Sequence, residues 1–547
     1  MAAIEIIQAS ALDKIFPYQE NFNQIKEMSA LRGEKVSWQI AIRADEIIQL
    51  SYSIDSELAP YIQIRRVGFV PVELAAYEHD HDDDFISLDA GIYPDILYPL
   101  EKDIVIANPK QYTTLWITAS IPENIKSDSY TIAFAFKNPD KSIFEKCRFT
   151  LQIIDSSLPE QTLKYSQWLH ADCIADYYNL EVFSDNFWSM ADKFISLAVE
   201  TGINMIFTPL FTPPLDLKFG NERTNIQLIT VIKNSDGYSF EFDNLKKWMD
   251  LCRSKGIHIF EFSHLFSQWG AKYTPIIWAN TENGYEKIFG WAISSKSAEY
   301  EKFLRMLFKE LTAFLKNQEG EFYFHVSDEP DNENIENYLH GYNILKECVN
   351  GFKIIDAISK LELYQHNISE FPIPNITVAE EFYNAGVKER WLYYSCENNK
   401  EVPNRYIAMP SRRSRIIGLL FYKFKVDGFL HWGFNFYNSG LSDFKINPFA
   451  VTDSFGLMPA GDAFSVYPAS AGPIESIRSA VFHDALSDLA ACQRLESLAG
   501  RDAVLGIIEK YGKLTFTSYP RSDAQLLDIR ESLNHAIARK VKDLKAK

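Results

Sequence analysis

At 547 residues, with 46% hydrophobic and 14% aromatic side chains, the chain has material for more than one core, and a prior of one domain per ~150 residues allows two to four. Its 23% charged residues and mean hydropathy of −0.18 exclude both a disordered chain and a membrane-embedded one. Lys plus Arg is 55 against 73 for Asp plus Glu, and the resulting charge of −18 repels phosphate backbones and anionic lipid, so nucleic acid is not an expected partner.

The opening residues MAAIEIIQASALDKIF have neither the basic start nor the apolar core of a secretory leader. No later stretch reaches the ~18 apolar residues that span a bilayer, so a cytoplasmic protein without membrane insertion is expected. Over the first 160 residues, Val36–Arg43, Tyr112–Thr118, Tyr130–Phe136 and Arg148–Ile154 alternate apolar and polar positions, the pattern of half-buried strands in a β-sandwich. Pro94, Pro109, Pro122 and Pro139 fall between these runs, where a missing N–H does no harm. The acidic run Glu78–Asp84 has no framing turn residue and reads as a solvated loop. The six cysteines, without a CxxC pair, read as reduced, mostly buried thiols.

From about residue 162 short apolar strands alternate with amphipathic helices. Eight candidate strands are Leu163–His170, Ile203–Leu210, Ile257–His264, Glu321–Ser327, Phe352–Ile358, Ile376–Glu380, Arg390–Ser395 and Gly428–Asn435. Helical spacing marks Asp185–Glu200, Leu245–Lys255, Ser297–Lys316, Asn334–Val349 and Ser411–Val426. After residue 450 come three further helices, Ile474–Glu496, Ala503–Lys510 and Asp523–Leu544. The expected fold is α/β: an N-terminal β-sandwich domain (1–160), a (β/α)8 TIM barrel (161–450) and a C-terminal, mainly helical segment (451–547).

A parallel barrel builds its site at the carboxyl ends of its strands. Those ends carry Trp168, His170 and Asp172 on the first strand, His264 on the third, Asp328 and Glu329 on the fourth, Tyr393 and Tyr394 on the seventh, and Trp432 and Asn435 on the eighth. Two adjacent carboxylates push each other's pKa apart, so one keeps its proton as a general acid while the other stays charged. Trp and Tyr stack on the apolar face of a sugar. The competing reading is that Asp328-Glu329-Pro330 only starts the next helix, its acids favouring the N-terminus. His170, His264, His325 and Asp172 lack a tight metal-binding spacing and are expected to make hydrogen bonds instead.

At these residues the chain resembles glycoside hydrolase family 123, the retaining β-N-acetylgalactosaminidases. The likeness runs through Tyr93–Leu97, Leu115–Ile117, Trp168–Asp172, Ser327–Pro330, Trp391–Cys396, Pro403-Asn404, Gly428–Trp432 with Asn435, Tyr467-Pro468 and Ser476–Arg478. His483–Asp488 departs from it, since relatives tend to carry a glycine-containing acidic segment there. The resemblance implies a sandwich followed by a barrel, Glu329 as acid and base, and Asp328 holding the 2-acetamido group of the substrate. It implies a glycan or glycoconjugate with a terminal β-linked N-acetylhexosamine as partner, and no metal or organic cofactor. Trp168, His170, Asp172, His264, Tyr393, Tyr394, Trp432 and Asn435 would contact the sugar. Two alternatives stand beside it: a barrel glycosidase using Glu380 or Glu381 as a protein nucleophile, and a non-catalytic carbohydrate-binding protein.

Overall fold

A computed structural model describes residues 4–100, 102–138, 143–330, 333–349 and 351–546. The N-terminal part is a sandwich of two five-stranded sheets. One sheet runs, in spatial order, Ile4–Ser10, Lys35–Ala44, Thr113–Ser120, Ile62–Val72, Gly91–Pro99; the other runs Glu27–Arg32, Ile143–Ser157, Ser129–Lys137, Ile48–Asp55, Ile104–Ala107. Trp38 stacks on Phe149 between them, centroids 4.3 Å apart. The first sheet is buried on both faces, because Leu115 and Ile117 point into the sandwich while Trp116 packs toward the barrel. Pro94 lies inside an edge strand rather than between strands, at a register shift opposite Gly68 and Phe69, where a ladder tolerates a missing donor. Pro139 lies outside the described residues.

Glu78–Asp84 is not a free solvated loop. Asp82 binds Arg413 at 2.7 Å, Asp84 binds Arg412, and both reach Arg521, which docks the run onto the barrel's last helical turn and the C-terminal segment.

Eight parallel strands form the barrel: Lys164–Gln167, Met205–Thr208, Ile259–Phe262, Glu321–Phe324, Lys353–Ala357, Phe371–Ile373, Trp391–Tyr393 and Gly428–His431. Seven overlap the expected positions. The sixth does not: Ile376–Glu380 gives way to Phe371–Ile373, and Glu380 and Glu381 fall on the helix Ala379–Asn384. This strand bonds along its length only to the fifth, so Pro372 lies where no ladder donor is needed. The seam to the seventh strand is a single bridge, Asn375 to Tyr393, leaving the barrel nearly closed.

The expected helices appear within a few residues, except that Ser411–Val426 divides into Ser411–Arg415 and Ile417–Phe424. The loops after the second and third strands also build a small sheet that local periodicity did not reveal, ordered Gly237–Glu241, Thr230–Asn234, Ile277–Thr281, Gly284–Phe289.

Beyond the barrel, a hairpin (Val466–Ala469, Gly472–Glu475) leads into the helices Ile477–Ala499, Arg501–Ile508 and Asp523–Lys545. Ser476 opens the first with a capping box. This helix crosses Ile417–Phe424 so closely that a Cβ on Gly418 would lie 1.9 Å from the Ala485 carbonyl oxygen. The six cysteines are all free thiols. Among the described residues no helix is long and apolar enough to cross a membrane.

Two buried ion clusters join the parts. Arg478 holds Asp95 of the sandwich through Nε and Nη2 at 2.9–3.1 Å, and Tyr467 adds a hydroxyl at 2.6 Å. Arg530 takes both oxygens of Glu34 at 2.7 Å and reaches Asp488 at 3.1 Å, while Arg415 binds Asp488 bidentately. Asp488 therefore closes an ion network. Removing one partner strands buried charge, so Arg530→Ala is expected to destabilise the protein by about 3–5 kcal/mol. Denaturant unfolding checks this, and a shift below 1 kcal/mol would show that the cluster is dispensable.

Candidate active site

The fourth barrel strand alternates strictly. Phe322, Phe324 and Val326 face the surrounding helices, and Tyr323 points into the barrel, as does His325 just past the strand's end. Beyond it the chain is pinned by the loop after the third strand. Leu265 and Phe266 N–H groups donate to the Val326 carbonyl, Ser327 Oγ donates to the Ser267 carbonyl at 2.8 Å, and Trp269 N–H donates to the Asp328 carbonyl at 3.0 Å. Glu329 is thereby held at φ +45°, a left-handed conformation that a non-glycine residue keeps only when its surroundings enforce it. The helix that follows begins at Ile335, so the acids do not form its first turn.

Both carboxylates open into one cavity of about 150 Å³ at the mouth of the barrel. Asp328 Oδ2 accepts a hydrogen bond from Gln268 Nε2 at 2.7 Å. Glu329 Oε1 accepts one from the Tyr393 hydroxyl at 2.6 Å. Burial pushes Asp328 well above the carboxylate range, and the charge of Glu329 adds to it. Burial also raises Glu329, with the charge of Glu397 adding and the Tyr393 bond opposing. Burial and mutual repulsion therefore favour a proton on the pair over two charges.

Trp168, Trp432 and Tyr393 line the cavity with the two acids. Trp168 is anchored by its indole Nε1, which donates to Glu261 at 2.7 Å, and Trp432 by Nε1 to Asp462 at 2.8 Å. His170, Asp172, His264, Tyr394 and Asn435, expected to contact the sugar, do not line it. His170 donates through Nε2 to the Trp432 carbonyl at 2.9 Å and accepts from Arg223 at 3.0 Å, so burial and the Arg223 charge hold it neutral. Asp172 forms a bidentate pair with the same arginine at 2.7 and 2.8 Å. Asn435 is bonded through its amide to both the N–H and the carbonyl of His170. Tyr394 points outward against Phe429 and His431, since strand alternation sends only Tyr393 inward.

Beneath the acids lies a charged cluster inside the barrel. His325 Nε2 faces Glu261 at 2.7 Å and Nδ1 faces Asp356 at 3.2 Å, two acceptor groups that require a proton on each nitrogen. Burial pulls His325 down, but the hydrogen bonds and charges of Asp356 and Glu261 outweigh it and carry it up to about 9. His264 stacks on His325 at 4.3 Å and is kept neutral by burial and by that positive charge. His264, His325 and Asp356 each place a ligand-type atom within 4.8 Å of the others, yet an imidazolium has no lone pair for a metal. Glu261 and Asp356 had a readable signal, a charged residue in the middle of an apolar barrel strand.

Gln268 and Asp216 escaped the sequence reading because they sit on long loops without a motif. Asp216 lines the cavity at φ +45°, and burial pushes it up to about 6 against the opposing Leu441 N–H and Arg223 charge. Glu380 and Glu381 lie away from the cavity: Glu380 accepts from the Phe516 N–H and Glu381 is exposed, which removes them as a nucleophile facing Glu329.

A parallel barrel with paired acids and tryptophans at the carboxyl ends of its strands is the layout of a glycoside hydrolase. The model of the glycoside hydrolase 123 catalytic domain matches residues 168–495, more than half of the sequence, and the chain belongs to that family. Along 99% of its length it superposes on 98% of a family 123 glycoside hydrolase from Clostridium perfringens, at a TM-score of 0.73 and 14% identity, which shows a common fold. An endo-β-1,4-mannanase from Thermotoga petrophila matches at a TM-score of only 0.35 and 11% identity, over 60% of this chain and 77% of that one. No curated protein sequence matches.

Tyr393→Phe removes a donor that favours the charged form of Glu329, so its pKa rises further and the alkaline limb of kcat/KM is expected to move to higher pH. A pH–rate profile checks this; an unmoved or lowered limb would detach Tyr393 from the acid. Dialysis against EDTA is expected to leave activity intact, because His325 is committed to its two carboxylates. A loss restored by a divalent cation would overturn that assignment.

Proposed function

We propose that this family 123 hydrolase is a retaining, exo-acting enzyme that removes a terminal β-linked N-acetylgalactosamine by substrate-assisted catalysis. The observation that carries the reading is the pair itself: two successive carboxylates in one cavity, one bonded to an amide donor and the other to a phenol. The cavity is small against the ~300–1,000 Å³ of sites for larger ligands, which favours one terminal sugar over an extended chain. The Clostridium perfringens enzyme is described in terms of glycolipid glycan hydrolysis, and a glycolipid glycan is the substrate class assigned to this chain as well.

In the first step the acetamido oxygen attacks the anomeric carbon as the glycosidic C–O bond breaks, and Glu329 gives its proton to the leaving oxygen. Asp328 accepts the acetamido N–H and stabilises the positive charge of the oxazolinium ion. That N–H favours the charged form of Asp328, which leaves the shared proton on Glu329. In the second step Glu329 takes a proton from water as its oxygen opens the ring, restoring the acetamido group with retained configuration. Trp168 and Trp432 present apolar faces to the sugar ring.

Glu329→Gln is expected to slow hydrolysis of natural glycosides by ~10²–10⁴-fold while sparing much of the first-step rate for aryl leaving groups of low pKa. Asp328→Asn removes the charge opposite the oxazolinium, a loss felt with every leaving group. Measuring kcat/KM for both variants across graded aryl glycosides separates them. Equal slopes, or rescue of Asp328→Asn alone, would reverse or remove the assignment, and turnover of a plain galactoside at a similar rate would sink the acetamido mechanism.

A further inference from the structure

Asp216 stands out on the cavity wall as a carboxylate that the chemistry above does not use. It is fixed at several points. Its N–H donates to Gln268 Oε1 at 2.6 Å, its carbonyl accepts the Ser442 hydroxyl at 2.7 Å, and Oδ2 accepts the Leu441 N–H at 3.1 Å. Its left-handed backbone is one that an isolated aspartate adopts only at a cost. The residue is 7% exposed, it lines the cavity, and among the described residues no hydrogen-bond donor reaches Oδ1.

Gln268 sets its position relative to the acids. The same side-chain amide accepts from Asp216 N–H through Oε1 and donates to Asp328 Oδ2 through Nε2, so Asp216 and Asp328 are neighbours on the wall, bridged by one amide group. With Asp328 on the substituent at C2 and Glu329 on the oxygen at C1, the next edge of the sugar ring in that direction carries the C3 and C4 hydroxyls. The remaining lining holds the apolar Leu215, Ala357, Leu430 and Met458 together with Ser395, Cys396 and Glu397 after the seventh strand; the charge of Glu397 acts on Glu329, which places it on the C1 side of the cavity rather than beside Asp216. A buried carboxylate oxygen accepts a hydroxyl hydrogen strongly and discriminates sharply against a sugar that does not present one.

We propose that Asp216 is the specificity-determining residue of the subsite, accepting hydrogen bonds from the C3–C4 edge of the terminal sugar and so setting the preference at C4. This rests on the placement of C1 and C2 by Glu329 and Asp328. Asp216→Asn keeps the side-chain shape and suits a left-handed backbone, so the loop is preserved. The measurement is kcat/KM of wild type and Asp216→Asn on aryl β-N-acetylgalactosaminide, its C4 epimer, and the 3-deoxy and 4-deoxy sugars, with a thermal melt of each protein.

The expected loss on the parent sugar is roughly 10- to 100-fold, the range for a hydrogen bond to a charged group. On at least one deoxy sugar it falls to near unity, and the variant discriminates less between the epimers. An equal loss on all four sugars, or none on any, overturns the proposal and leaves Asp216 as a loop anchor. If Asp216→Asn fails to melt cooperatively, Asp216→Glu in the same series decides the matter by the same criterion. Failure of the underlying mechanism shows differently, as wild-type protein that does not turn over the parent N-acetylhexosaminide.

Discussion

Asp328 and Glu329 are successive residues, the first buried and the second half-buried, and among the described residues no lysine or arginine lines their cavity. Sequestering ionised carboxylates costs several kcal/mol each even after relaxation, and mutual repulsion adds to this. Burial and repulsion favour a proton on the pair over two charges, and neutral donors serve both acids, Gln268 for Asp328 and Tyr393 with Trp269 for Glu329. An arginine in place of either donor would have favoured the ionised form of both acids. The left-handed turn at Glu329, pinned by the loop after the third strand, aims both side chains into the same space.

The barrel interior carries this arrangement from below. Glu261 bonds the Trp168 indole with one oxygen and shares that oxygen with the His325 imidazolium, whose far side meets Asp356. Asp356 also takes the Val326 N–H and the Tyr338 hydroxyl, tying the fifth strand and a helix to the residues just before the acids. Such a network is stiff only when all its members are paired, and it locks the tryptophan floor and the acidic turn to the same frame.

Several segments that resemble family 123 turn out to serve assembly. Asp95, Tyr467 and Arg478 meet in one buried cluster between sandwich and barrel, and Asn435 braces the backbone of His170. His170 and Asp172 organise Arg223, and through it the loop that carries Asp216. Residues at strand ends thus divide into those facing the cavity and those supporting its loops. Residue type alone does not separate the two groups.

Much of the architecture was legible in the chain. Alternation located the sandwich strands, helical spacing located the principal helices, and the run from Glu321 to Pro330 placed the acids at the end of the fourth strand, because these patterns depend on neighbours close in sequence. The sixth strand contains Pro372 and is followed by Pro374, residues that strand propensity disfavours and that the one-sided seam makes harmless. The small inserted sheet pairs Ile232 with Asn280, a contact that no local pattern announces. Local sequence therefore determined most of the elements, their order along the chain and the adjacency of the two acids at the end of the fourth strand. Which aromatics line the cavity, which histidine carries charge, and that Gln268 joins Asp216 to Asp328 were decided only by the tertiary fold. Each of those depends on groups from different strands meeting in a buried space where water cannot satisfy them.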